Sequence, residues 1–155
     1  MRRSEKELLT IGWREWIGLP GLGVKSIKAK IDTGALTSSL HAFQIERFRS
    51  EGRDYVRFFI HPRQKTSKPV VQTQASLLGM RAVRSSNGHI SERPVIATEI
   101  QIYDQTCLIQ LTLANRDQMG FRMLLGREAL RNRFLVDAAS SYCDLSRIPK
   151  RRKKT

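Results

Sequence analysis

The stretch Val24-Lys25-Ser26-Ile27-Lys28-Ala29-Lys30-Ile31-Asp32-Thr33-Gly34-Ala35 carries the strongest structural signal in this sequence. Up to Ile31, apolar residues alternate with basic or polar ones, which is the two-residue period of a half-buried strand. Asp32 follows directly, and Gly34 allows another chain segment to approach closely. The stretch therefore predicts a strand that delivers one carboxylate to a tight loop. Asp-x-Gly is also an ordinary turn sequence, so these residues alone leave both interpretations open.

The two-residue period continues along the rest of the chain. It predicts strands at 7–17, 24–31, 55–60, 80–84, 93–102, 107–113, 134–137 and 141–145, with a further strand beginning at Val70 and Val71. Turns are predicted at 19–23 and 63–69, and Asn87-Gly88 predicts a hairpin. Only 127–132 has the pattern of a helix. Many short strands separated by turns predict an all-β domain, either closed or sandwiched.

Length and charge bound the organisation of the protein. The chain has 155 residues and a formal net charge of +14, from 28 Lys plus Arg against 14 Asp plus Glu. This length suits one domain with its own core, which we place at 1–146. Residues 147–155 carry six positive charges and predict a disordered basic tail, either solubilising or binding. The basic excess indicates an acidic partner, such as nucleic acid or an acidic polypeptide.

Several classes of protein are disfavoured by the sequence. No apolar run approaches the roughly 18 residues of a membrane span, and the N-terminus is polar where an export signal is apolar. We therefore expect a cytoplasmic protein without membrane association, with Cys107 and Cys143 reduced. The chain contains no His-Glu-x-x-His, no Cys-x-x-Cys and no phosphate-binding Gly-x-x-x-x-Gly-Lys. We expect neither a metal nor a cofactor.

A second motif gives Asp32 a context. Met123-Leu124-Leu125-Gly126-Arg127 follows Asp-Thr-Gly-Ala after about ninety residues, and the Asn87-Gly88 hairpin lies between them. This order resembles the retropepsin-like aspartic proteases. Further segments narrow the likeness: 31–42, Val-Arg-Ser-Ser-Asn-Gly-His at 83–89, Arg-Pro-Val-Ile at 93–96, 113–119 and Phe-Leu-Val-Asp at 134–137. Together they resemble the bacterial family named ATP-dependent zinc proteases, which is retropepsin-like despite its name.

The resemblance implies a retropepsin-like closed β-barrel with one short C-terminal helix. It implies that Asp32 is catalytic and that Arg127 braces the catalytic loop or a dimer interface through an ion pair. The other implied site residues are the loop support (Thr33, Gly34, Ala35), the flap over the substrate (Ser85, Ser86, Asn87, Gly88, His89) and the rest of the second motif (Leu125, Gly126).

An aspartic protease needs two carboxylates, and this chain has one Asp-Thr-Gly. The resemblance therefore implies a C2 homodimer in which each subunit supplies Asp32 to one site. The implied substrate is a peptide or protein, and the basic surface favours an acidic one. Some family members are encoded beside an ATP-grasp ligase that adds glutamates to a ribosomal protein, so association with such a ligase or with the ribosome is implied too. Two alternatives stay open: a non-catalytic binding module for ribosomal RNA or a glutamylated protein, and a zinc-dependent hydrolase.

Overall fold

A computed structural model of the protein describes residues 7–63, 70–84, 87–115 and 120–149. These residues are built mainly from β-strands, with one short helix and two 3₁₀ turns, Pro20–Leu22 and Leu145–Arg147. The elements are β1 Leu9–Gly12, β2 Arg14–Leu19, β3 Val24–Ile31, β4 Ser38–His41, β5 Phe43–Ser50, β6 Arg53–Ile60, β7 Val71–Arg84, β8 Ile90–Ile102, β9 Gln105–Ala114, β10 Met123–Leu125, α1 Arg127–Leu130 and β11 Phe134–Asp137.

Six of the strands close into a barrel. They follow the order β2-β3-β10-β4-β9-β8, and β2 pairs with β8 at Gly18 and Gln101, which completes the ring. β7, β6 and β5 extend the sheet from β8 as successive antiparallel strands. β1 and β11 form a separate parallel pair. The predicted retropepsin-like closed barrel is confirmed.

The core follows the alternation seen in the sequence. On β3, Ile27, Ala29 and Ile31 are buried, while Lys28 and Lys30 lie on the opposite face. Branched and aromatic side chains from the other strands fill the interior, and removal of this apolar surface from water drives the closure. Those fully excluded from solvent include Phe58, Ile96, Leu40, Leu111 and Leu113.

The barrel contains one unusual crossing. β10 lies between β3, to which it is parallel, and β4, to which it is antiparallel. β3 and β4 are therefore not paired with each other, although only residues 32–37 separate them in sequence. The loop 32–37 must pass over the end of β10, where Gly126 follows Leu125. This crossing brings the two sequence motifs together.

Three details differ from the predictions. The strand predicted at 7–17 is broken at Trp13, whose carbonyl accepts from Ile31 N at 2.8 Å and whose N–H donates to Ser140 O at 2.9 Å. β4 and β5 were not predicted, because the alternation in 38–50 is carried mostly by polar residues. The strand predicted at 141–145 is wrong: Tyr142 has a φ of +54°, outside the extended region.

The structure describes the chain through residue 149, and Arg147 lies just beyond the predicted domain boundary at residue 146. Arg147 belongs to the folded domain, because its Nη2 donates to the carbonyl of Tyr103 at 3.1 Å and its Nε lies 3.7 Å from a carboxylate oxygen of buried Asp144. The last six residues of the predicted tail, 150–155, lie outside the described residues. No helix among the described residues is long and apolar enough to cross a membrane.

Candidate functional site

Asp32 follows the last residue of β3 and is the first residue of a loop that is held by several hydrogen bonds. Its backbone N–H donates to Leu125 O at 2.8 Å, which ties the loop to β10. Its Oδ1 accepts from Gly34 N at 2.9 Å, and its carbonyl accepts from Ala35 N at 3.2 Å. The Asp32 side chain is only half-buried. The loop thus holds one carboxylate oxygen in a fixed place while leaving the group accessible.

The helix α1 holds the other side of the loop. The backbone N–H groups of Arg127 and Glu128 donate to the carbonyls of Ala35 and Leu36, at 2.8 and 3.0 Å. These are N–H groups of the first helical turn, which have no partner inside the helix. The loop carbonyls therefore satisfy the helix terminus, and the helix fixes the loop.

Gly126 is required by close packing. A Cβ at this position would collide with the carbonyl of Thr37 and would lie 2.8 Å from the carbonyl oxygen of Ala35. Both atoms belong to the backbone of the loop, so neither can move aside cheaply. The glycine of the second motif thus permits the contact between the two motifs. Leu125, the residue before it, is fully buried in the core.

Arg127 contacts the Asp32 loop through a hydrogen bond instead of the ion pair that the resemblance implied. Its Nη1 donates to the carbonyl of Thr33 at 2.9 Å. The described residues contain ion pairs at Arg49–Asp54, Arg57–Glu46 and Arg147–Asp144, and none of them involves Arg127. A guanidinium can orient a carbonyl as well as a carboxylate.

The remaining predicted site residues lie at two places. Thr33 and Gly34 are exposed on the loop, and a Cβ on Gly34 would lie 3.1 Å from Asp32 Oδ1. Asn87, Gly88 and His89 are exposed at the end of the long β7–β8 hairpin, where Arg84 pairs with Ile90. Gly88 has a φ of +84° and Asn87 Oδ1 accepts from His89 N, so the hairpin prediction at this sequence is confirmed. Ser85 and Ser86 lie outside the described residues.

Sequence reasoning missed two supporting side chains. Ser38 Oγ accepts from the buried N–H of Gly126 at 3.0 Å, and nothing in Thr-Ser-Ser marked one serine over the other. Glu15 is fully buried and its carboxylate accepts from the backbone N–H groups of Gly12, Cys143 and Asp144, at 2.7 to 3.2 Å. Alternation along β2 could have identified Glu15, because it shares the inward parity of Ile17.

The described residues around Asp32 form neither a metal-binding cluster nor the wall of the cavity described below. Within the described ranges, no three His, Cys, Asp or Glu side chains are grouped so as to hold a metal. Burial and the nearby Glu15 charge raise the pKa of the Cys143 thiol. A surface cavity of about 790 Å³ is lined in part by Lys25, Arg63 and Arg147, and Asp32 is not in its wall.

The barrel and its loop indicate the structural class of the protein. The closed six-stranded barrel is consistent with the retropepsin-like fold, and it contains the single Asp-Thr-Gly loop next to β10. A family profile described as "RimB-like: Retropepsin-like aspartic endopeptidase RimB" matches residues 10–146. The chain belongs to the RimB-like family, and the resemblance drawn from its motifs is confirmed.

The region similar to this chain is part of a longer protein in some relatives and covers nearly a whole chain in another. A Shewanella halifaxensis protein named "Probable alpha-L-glutamate ligase" is 47% identical over 133 residues, covering 86% of this chain but 29% of its own length. A protein of the same name from Desulfotalea psychrophila is 42% identical over 140 residues, covering 90% of this chain and 30% of its own. The chain thus spans about three-tenths of these curated relatives. The crystal structure of a Legionella pneumophila protein of unknown function superposes with a TM-score of 0.74 at 27% identity, covering 88% of this chain and 98% of that one.

Proposed function

We propose that this domain is an aspartic peptidase that works as a homodimer and cleaves glutamate-rich peptides. The observation that carries the proposal is the state of Asp32: a half-exposed carboxylate on a loop fixed by β10 and α1. A general acid or base needs a fixed but accessible carboxylate. Family membership supports the same chemistry.

Two copies of the loop would supply the reaction. Two carboxylates about 3 Å apart cannot both ionise easily, so they share one proton. The ionised Asp32 takes a proton from a water molecule while the oxygen of that water attacks the scissile carbonyl carbon. The protonated Asp32 of the other subunit donates to the carbonyl oxygen. Collapse of the tetrahedral gem-diol then breaks the C–N bond. The leaving nitrogen takes a proton from one Asp32, and a gem-diol hydroxyl returns its proton to the other, which restores the shared proton of the dyad.

Exposed groups on the loop support a dimer. Thr33 is exposed, and its side chain makes no hydrogen bond with the described residues, which leaves it available to a second subunit. Leu36, in the same loop, is a large apolar side chain that is 47% exposed. Contact with a second copy of the loop would cover Leu36 and place the two Asp32 carboxylates together.

The substrate proposal comes from relatives and charge. In proteins named as glutamate ligases, the region similar to this chain makes up about 30% of the polypeptide, and the other roughly 70% is additional sequence. Two activities on one chain are well placed to act on one substrate. A peptide carrying added glutamates would suit the +14 charge of this protein.

The decisive test compares Asp32→Asn with the matched exposed variant Asp104→Asn. Purified proteins are incubated with peptides that end in a run of glutamates, and the products are measured by mass spectrometry. We expect Asp32→Asn to lower the rate at least about 10³-fold and Asp104→Asn to leave it unchanged. Equal rates for wild type and Asp32→Asn would refute the aspartic mechanism. Sedimentation equilibrium tests the dimer, and an active protein that stays monomeric would exclude a shared dyad.

A second candidate function is non-catalytic binding of an acidic partner. It is favoured by the cavity lined by Lys25, Arg63 and Arg147, which lies apart from Asp32. Salt-dependent binding of a glutamylated peptide or of RNA, lost in Lys25→Gln but kept in Asp32→Asn, would favour this function. Chelator-sensitive cleavage would instead favour the zinc-dependent hydrolase.

A further inference from the structure

One face of the sheet carries a continuous row of residues that begins beside Asp32. Lys30 is on β3, two residues before Asp32. Because the Asp32 N–H still donates to Leu125 O of β10, the extended backbone continues to Asp32 and the two residues occupy the same face. Leu124 of β10 is the register partner of Lys30, Ser39 of β4 is the partner of Leu124, and Thr112 of β9 is the partner of Ser39. With strands about 4.8 Å apart, the row runs about 14 Å from Lys30 to Thr112.

Arg81 reaches the far end of this row. Its Nη1 donates to Thr112 Oγ1 at 3.1 Å. To do so, the side chain extends from β7 across β8, where Gly79 pairs with Val95 and Val95 pairs with Thr112. Thr112 itself is only 5% exposed, so it is a rigid anchor. One N–H of the five in the guanidinium is committed to Thr112, and the group is held in place.

The two cations at the ends of the row have no acidic partner in the described part of the chain. The ion pairs described above involve neither Lys30 nor Arg81. Two other cations on this face differ because their charged groups lie over aromatic rings. Lys28 Nζ lies 5.3 and 5.7 Å from the ring centres of Trp16 and Tyr142. Arg14, the register partner of Lys30 on β2, has its Cζ 4.6 and 4.8 Å from the ring centres of Trp13 and Tyr142. Lys30 and Arg81 are therefore the cations of this row that are poised to receive an outside anion.

We infer that Lys30 and Arg81 are the residues that give this site its preference for acidic peptides. The inference rests on the proposed function, since the row begins at the proposed catalytic Asp32. An extended peptide advances about 3.3 Å per residue, so about four residues span the row. Carboxylates of such a peptide can meet both cations, and a guanidinium anchored on Thr112 binds a carboxylate with little further ordering.

The test measures binding separately from cleavage. A fluorescently labelled peptide of five glutamates, and the same peptide with glutamines, are titrated into the Asp32→Asn protein and followed by anisotropy. Arg81→Gln and Lys30→Gln are then added one at a time in that background. Arg84→Gln is the matched control, because Arg84 is on the same strand but faces the other way. Thermal melts confirm that each variant is folded.

We expect the wild-type row to bind the glutamate peptide at least about 10-fold more tightly than the glutamine peptide. Arg81→Gln and Lys30→Gln should each remove most of this preference, Arg81→Lys should retain part of it, and Arg84→Gln should retain all of it. Folded Arg81→Gln and Lys30→Gln proteins that keep the full preference would overturn the inference, and so would the absence of any preference in the starting protein.

The outcome is distinguishable from that of the proposed function. If the preference depends on Lys30 and Arg81 but the native enzyme cleaves no peptide, the acidic subsite stands and the peptidase proposal fails. The opposite result is also possible: the native enzyme cleaves peptides and Asp32→Asn does not, but the preference for glutamate is unchanged in both cation variants. In that case the peptidase proposal stands and this subsite is wrong. In an active enzyme, the two variants should raise KM for glutamate peptides more than they lower kcat.

Discussion

Glu15 on β2 and Asp32, directly after the adjacent strand β3, are two carboxylates with opposite surroundings. Glu15 is fully buried and accepts three backbone N–H groups, from Gly12, Cys143 and Asp144. Asp32 is half-exposed, and its side chain accepts one, from Gly34. A carboxylate whose lone pairs are taken up by the fold serves structure, whereas one that keeps an oxygen accessible can serve chemistry. Hydrogen-bond saturation therefore separates the two roles better than residue type does.

The strongest test of this comparison removes the buried carboxylate. Glu15→Ala leaves three backbone N–H groups without their acceptor, which should lower the free energy of unfolding by about 3–6 kcal/mol. Urea denaturation measures the loss. Glu99→Ala, an exposed position on β8, is the control and should change stability little. A Glu15→Ala protein as stable as Glu99→Ala would break the distinction between the two carboxylates.

The next test concerns the backbone support of Asp32. Gly126→Ala forces a Cβ against the carbonyls of Thr37 and Ala35, which should cost about 2–4 kcal/mol of stability. If the contact fixes the Asp32 loop and the peptidase proposal holds, activity should fall further than the loss of folded protein explains. Gly52→Ala offers a comparison at an open turn, although its φ of +77° adds a cost of its own. Undiminished stability in Gly126→Ala would show that the two motifs do not need close contact.

The pH dependence of stability at alkaline pH tests the effect of Glu15 on the neighbouring Cys143 thiol. Burial and the Glu15 charge raise the pKa of the Cys143 thiol, so the folded state holds its proton where the unfolded state releases it. Stability should therefore fall as the pH rises above about 8.5, the ordinary thiol value, until the folded pKa is passed. Cys143→Ser should flatten this decline in melting temperature. An equal decline in the wild type and in Cys143→Ser would mean that other groups cause the pH dependence. Tyr103, whose pKa is also raised, is one such group.

The smallest expected effect completes the comparison. Asp32→Asn should change the free energy of unfolding by no more than about 0.5 kcal/mol, because the side chain is half-exposed and an amide oxygen can still accept from Gly34 N. The same denaturation experiment measures it. A loss comparable to that of Glu15→Ala would mean that Asp32 is a structural carboxylate, which would weaken the peptidase proposal independently of any assay.

The sequence predicted the features that depend on local pattern. The alternation of 24–31 gave β3 with its bounds, and the short helical pattern after Gly126 gave α1. Phe134–Asp137 and the Asn-Gly hairpin were equally local. The 141–145 segment failed because its backbone N–H groups are used by the distant Glu15 carboxylate, and no local pattern records that.

The sequence by itself determined the β-class, the family and the identity of the one Asp-Thr-Gly loop, because alternation and motif spacing are properties of neighbouring residues. Only the tertiary structure decided what surrounds that loop. The passage of β10 between β3 and β4 places Gly126 against Ala35 and Thr37, and it brings Lys30, Thr112 and Arg81 onto the face of Asp32. These contacts join residues up to about ninety positions apart. Strand order sets them, and strand order is fixed by burial of the whole core rather than by any one segment.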